Sequence, residues 1–185
     1  MTKYFGSPAA FYFLLIIWAV FLIDLFIPGF SFNQLGIRPR SIDGLLGIAI
    51  SPFLHGGIFH IISNSLPLII LPILVRFSVG KEHVLTVMIL GALGSGIGTW
   101  VFGSNGVVVG ASGVVYSLIG YLFARAYFSP SLRTWACALV SFILYSGSLI
   151  SFFHFMPYIS WAAHFWGFVA GIAAAGLWHK IDHSN

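Results

Sequence analysis

IFHIISNSLPLIILPILVR, residues 58–76, is an unbroken apolar run whose only formal charge is its last residue, Arg76. A run of this length and composition matches a membrane span of about 20 residues. Its few strongly polar groups gather at one end. His60 and Asn64 stand four residues apart, a spacing that puts both on one face of a helix.

The same pattern continues outward in both directions. Uncharged stretches cover 4–23, 44–75, 84–124 and 134–179, and each accommodates one or two spans. Over all 185 residues, 59% are hydrophobic and only 6% charged, and the mean hydropathy of +1.00 excludes a water-soluble domain. Breaking the runs at glycine, proline and charge predicts six helices, near 8–27, 58–76, 83–101, 112–128, 133–150 and 159–178. The expected architecture is an all-α polytopic membrane protein with six transmembrane helices. No linker or shift in composition interrupts it, so one membrane domain is expected over 1–185. The first run lacks a small-x-small cleavage pattern, and a retained span is expected there in place of a signal peptide.

Placing the connections alternately puts Lys3, Arg76, Lys81, Arg125, Arg133 and Lys180 on one face and only Arg38 and Arg40 on the other. Short positively charged loops stay inside, so both termini are expected in the cytoplasm and the loops at 29–57, 102–111 and 151–158 outside. The first of these is itself partly apolar (GLLGIAISPFLHGG, 44–57), which predicts that it lies in the membrane interface or is embedded without crossing. The net charge of +4 comes from cations scattered singly, a distribution that argues against a nucleic-acid partner. Cys137 stands alone, so neither a disulfide nor a cysteine-based metal site is expected. His83, His179 and His183 fall at the cytoplasmic ends and form no ligand cluster. GALGSGIG (91–98) lacks the Lys-Ser/Thr of a phosphate loop and reads as a helix-packing surface. Pro67 and Pro72 read as kinks in the second helix.

Depth separates a site from scattered polar residues, because polar side chains inside a span are costly and gather where they work. The helices at 58–76, 112–128 and 159–178 all run from outside to inside. His60 and Asn64 are near the outer end of the first of them. Ser112 follows the glycine-rich GSNGVVVGASG (103–113) and falls in the first turn of the second, among free backbone N–H groups. His164 is a turn or two into the third, with Gly167 and Gly171 continuing on its face and admitting a close neighbour. Taken singly, a serine there is more often a cap or packing residue and a histidine more often a packing one. Together they supply what acyl transfer needs: a hydroxyl nucleophile, a base to take its proton, and donors for the oxyanion. Asp24, Asp43, Glu82 and Asp182 lie at helix ends or in loops, so a Ser-His dyad is expected in place of a triad.

Three segments resemble the rhomboid intramembrane serine proteases. HGGIFHIISN (55–64) is similar to their His plus HxxxN segment, GASG (110–113) to their GxSG, and HFWGFVAG (164–171) to their His-xx-Gly-xxx-Gly. The motifs occur in the family's order and span most of the chain. The resemblance implies a six-helix rhomboid-like fold and a membrane endopeptidase in which Ser112 is the nucleophile and His164 the base. It makes His60 and Asn64 oxyanion donors, with Ser112 contributing there too. Tyr116 becomes a ring supporting His164, Gly110, Gly113 and Gly167 supporting residues, and His55 a structural residue of the first outer loop. One departure is the first outer loop, where many relatives carry a Trp-Arg pair and this chain reads GIRPRSIDGLLGI (36–48).

On that reading no cofactor or metal is required, the partners are transmembrane protein substrates and the lipid bilayer, and the location is a bacterial inner (cytoplasmic) membrane with the site opening to the periplasmic or extracellular side. No oligomeric state follows from the motifs. The loop SFFHFMPY (151–158) is expected to be a movable cover carrying Phe152, Phe153, Phe155 and Met156. Two other functions use the same polar residues: an ion or solute site at a helix interface, and a catalytically silent relative that binds membrane proteins.

Overall fold

The computed structural model describes residues 7–80, 82–149 and 160–184. Among them the regular elements are helical: α1 (Pro8–Leu25), α2 (Leu45–Ile50), α3 (Ile58–Val79), α4 (Glu82–Phe102), α5 (Ser112–Phe128), α6 (Leu132–Leu149) and α7 (Trp161–Ser184). Helices thus occupy all six expected positions. The addition is the six-residue α2, flanked by 3-10 turns at Ile42–Gly44 and Ser51–Phe53 within the partly apolar first loop. α7 runs six residues past its expected end at 178, because no proline or glycine follows Gly176 to stop it.

Four helices, α1, α3, α4 and α7, are long and apolar enough to cross a membrane. The other two expected spans are shorter: α5 has 17 residues, and the apolar part of α6 covers Leu132–Gly147. The reason lies at their ends. α5 begins only after the glycine-rich loop, and both helices abut the polar turn around Ser129 and Pro130.

α5 is the centre of the bundle, with 13 of its 17 residues buried. It packs on α7, α4, α3 and α6, while α1 packs on the outside of α3 and buries only Ala10, Ile17 and Phe21. Between membrane helices there is little hydrophobic drive, so contact depends on small residues that let backbones approach. Three such approaches join α5 to α7. A Cβ on Gly167 would strike the Gly113 carbonyl, one on Gly171 the Ser117 carbonyl, and one on Gly120 the Phe168 carbonyl. On α4, Gly91, Gly94 and Gly98 face Ser117, Ala170 and Trp166. At the other end of the bundle His83 of α4 stacks on Trp178 of α7, with centroids 4.1 Å apart, and shares a hydrogen bond with Tyr121 of α5.

These contacts set the depth of α5. Gly113 lies against Ser95, which is seven residues before the end of α4 at Phe102, or about 10 Å down the helix. The start of α5 is therefore recessed below the end of its neighbour.

Because its Cβ would meet backbone, Gly171→Val should overpack the α5–α7 contact and destabilise the protein by about 1–3 kcal/mol. Thermal unfolding in detergent checks this: a lowered midpoint is expected, and an unchanged one means the two backbones are not in contact.

Candidate active site

α3, α5 and α7 each begin beside the same cavity, and their first two turns supply His60, Ser63, Asn64, Ser112, Tyr116 and His164 to its lining. On α3, Asn64 is buried one turn after His60 and donates from Nδ2 to the His60 carbonyl at 3.1 Å, while Ser63 Oγ donates to the same carbonyl at 2.8 Å. A side-chain amide carries two N–H hydrogens, so Asn64 keeps one for another acceptor.

Ser112 is the first residue of α5. The chain reaches it through Gly110, whose φ of +120° lies where side-chain-bearing residues rarely go. A Cβ at Gly110 would stand 2.6 Å from His60 Nε2 and 3.7 Å from Asn64 Nδ2. Bare backbone is thus what lets the loop pass against His60. Ala111, the cap residue, makes no side-chain cap bond; its carbonyl accepts from the Val114 and Val115 N–H groups at 3.0 and 3.1 Å, which leaves the N–H groups of Ser112 and Gly113 without a partner in the helix by position. Their dipoles favour negative charge beside the Ser112 hydroxyl.

α7 starts with Ser160 Oγ accepting from the Ala163 N–H at 3.3 Å, a helix cap. His164 follows one turn later, and its ring stacks on Tyr116 with centroids 4.2 Å apart and planes inclined by 19°. Tyr116 is buried on α5 one turn after Ser112, so the stack ties the imidazole orientation to the helix that carries the serine. Ser95 Oγ of α4 donates to the Ala163 carbonyl at 2.9 Å and holds the same turn from the other side.

Ser112, His60, Asn64, His164 and Tyr116 line one cavity of about 990 Å³, which continues two turns deeper past Pro67, Ile119 and Tyr145. Gly113 and Gly167 are outside its lining and are contact points between helices. His55 is also outside it, buried behind His60 with ring centroids 5.1 Å apart. Among the described residues no carboxylate lines the cavity. Asp24 accepts instead from Phe32 N at 2.6 Å, Ser31 Oγ at 2.9 Å and Asn33 Nδ2 at 3.5 Å, at the start of the first outer loop. No group of three or more potential metal ligands is found among the described residues. Phe152, Phe153, Phe155 and Met156 of the expected cover lie outside them.

Sequence reasoning did not single out Tyr145 or Ser160, and it assigned Pro67 only a kink. Ser160 had a usable signal, since a serine just before WAA at 161–163 is a cap pattern. Tyr145 had one as well, since it continues at helical spacing the small and polar residues Thr134, Cys137, Ala138 and Ser141 that form the buried face of α6.

The family model described as Rhomboid domain matches residues 43–181. An uncharacterized protein of Mycobacterium tuberculosis is 30% identical over 181 residues, which are 93% of this chain and 75% of that one. One of Mycobacterium leprae is 27% identical over 187 residues, 93% of this chain and 71% of the relative. RHOMBOID-like protein 5 of Arabidopsis thaliana is 29% identical over 122 residues, 64% of this chain and 39% of the plant protein.

Among the described residues none stands in good hydrogen-bond geometry to either ring nitrogen of His55. Burial first, and then neighbouring His60, push its pKa down from 6.5 to about 4, against a smaller opposing effect from the Phe53 backbone. The neutral ring is therefore the form the fold accepts. With the folded value below the unfolded one, the stability linked to His55 is full above pH 6.5 and is lost as pH falls from 6.5 through about 4. Replacing His55 by Phe keeps a ring and removes the titration. The unfolding midpoint of His55→Phe should fall less over that interval than that of the wild type; equal slopes would mean that His55 is not held neutral.

Proposed function

We propose, from the premise that the chain belongs to the rhomboid family, that it is an intramembrane serine endopeptidase working through a Ser112–His164 dyad. The observation that carries this reading is that Ser112, His164, His60 and Asn64, from three helices, line a single cavity while His164 is stacked on the helix of Ser112. The chain is an integral membrane protein. On this reading α1, α3, α4, α5, α6 and α7 all span the bilayer, α5 and α6 as short spans. The termini face the cytoplasm, as the six-to-two distribution of Lys and Arg supports. The cavity opens to the outer side of a bacterial cytoplasmic membrane, and 1–185 act as one membrane domain.

Ser112 Oγ attacks a peptide carbonyl as His164 takes the hydroxyl proton. The oxyanion receives hydrogen bonds from Asn64 Nδ2, from His60 and from the backbone N–H of Ser112. His164 returns the proton to the departing amine, leaving an ester on Ser112. Water then loses a proton to His164, attacks the ester and frees the second fragment. Tyr116 holds the imidazole by stacking, the task a carboxylate performs in a triad. No cofactor enters these steps.

A helical peptide bond has its carbonyl bonded within the helix, so the scissile segment must first unwind. Gly or Pro near the outer end of a substrate span lowers that cost, because water there replaces the lost bonds.

Purified Ser112→Ala and His164→Ala should be inserted and folded yet fail to cut a model single-span substrate in liposomes. Asn64→Ala should slow turnover by about 10²–10³-fold. Cleavage by Ser112→Ala at the wild-type rate contradicts the dyad, and ion-dependent flux without cleavage would favour a transport site.

A further inference from the structure

Arg38 and Arg40 are the only Lys or Arg residues of the outer-face loops, and neither lines the cavity. Arg38 makes one local bond, from Nη2 to the Gln34 carbonyl at 3.3 Å. Arg40 differs in two respects. It is the one non-glycine residue with positive φ among those described, at +58°, a conformation that persists only where the surroundings over-determine it. Its bonds also reach across 60 residues of sequence to the end of α4 and the loop before Ser112.

The Arg40 N–H donates to the Trp100 carbonyl at 2.9 Å. Its Nη1 donates to the carbonyls of Gly103 at 2.7 Å and Val101 at 3.3 Å, and Nη2 to Asn105 Oδ1 at 3.1 Å. The last carbonyls of a helix have no donor within it, so the guanidinium satisfies the end of α4 and fixes where the chain leaves it. Trp100 Nε1 returns a bond to the Ser41 carbonyl at 2.8 Å. Two further ties follow along the loop. Ile37 and Val108 exchange N–H···O bonds of 2.9 and 2.8 Å, and the Gly110 N–H donates to the Ser51 carbonyl at 2.9 Å. Residues 37–51 thus grip 100–110 at successive points, the last two residues before Ser112 and against His60.

We propose that Arg40 is a positioning residue: by fixing the exit of α4 it sets the course of the loop that delivers Gly110 and Ser112 to His60 and Asn64. The proposal rests on the reading of Ser112 as nucleophile. It assigns Arg40 a geometric task that a positive charge alone does not perform.

Arg40→Gly relieves the backbone and removes the fork of donors; Arg40→Lys keeps the charge and loses the fork. Each is compared with wild type on the single-span substrate, at a temperature where circular dichroism shows all three folded. Arg40→Gly should lower kcat at least about tenfold with KM within about twofold, because a small displacement of reacting groups costs rate more than binding. Arg40→Lys should lie between and carries the test if Arg40→Gly is not recovered folded. The amides of Val108 and Gly110 should exchange hydrogen faster in Arg40→Gly. Adding Ile37→Cys with Val108→Cys should restore kcat when oxidised and lose it again on reduction. A folded Arg40→Gly with wild-type kcat and exchange overturns the proposal alone. A wild-type protein without Ser112-dependent cleavage overturns the protease reading and the proposal with it.

Discussion

The close approach of the α5 and α7 backbones is the contact on which the rest of the structure depends. A bilayer does not press helices together as water does, so two helices stay joined where glycine lets carbonyls and Cα atoms meet. Gly113 against Gly167, Ser117 against Gly171 and Gly120 against Phe168 do this over two turns, with the gap supplied now by one helix and now by the other. One consequence is the burial of α5 on nearly all sides. Another is the level of the site: the same register brings Tyr116 under the ring of His164, while Gly113 against Ser95 sets the start of α5 below the end of α4. Widening the contact would separate the serine helix from the histidine helix before it disturbed either one.

The first outer loop acts on the site from the other side. Asp24 holds its start through Ser31, Phe32 and Asn33, and Asn33 Nδ2 in turn donates to the His55 carbonyl at 3.2 Å. His55 lies behind His60, and His60 lies against Gly110. Asp24 is thus spent on the loop, and on our reading the catalytic imidazole is oriented by an aromatic stack instead. Such a dyad keeps an uncompensated carboxylate out of a site within the membrane, where its charge would be costly.

Much of this was legible in the residues. Apolar runs of 17 to 20 residues broken at glycine and charge located six helices to within six positions at either end, because the bilayer fixes both length and composition. The four-residue spacing of His60 and Asn64 and the position of Ser112 after a glycine-rich loop pointed to one depth. What stayed hidden depends on contacts between segments distant in sequence. Arg40 read as a topology signal, since its bonds to 101–105 leave no local trace. α2 is too short for periodicity to reveal, and the recess of α5 follows from its register against Ser95, which no single helix encodes. The wall formed by Tyr145 depends on the rotation of α6, whose buried face is marked only by the small and polar residues Thr134, Cys137, Ala138 and Ser141.

The central claim is that Ser112 is made nucleophilic by His164 within this cavity. Treating the purified protein in lipid with a serine-directed fluorophosphonate and mapping the adduct by peptide mass spectrometry tests it most directly. The account predicts a single stoichiometric adduct on Ser112 that is absent when His164 is replaced by Ala. An unmodified Ser112, an adduct on another serine, or undiminished modification in His164→Ala would contradict it.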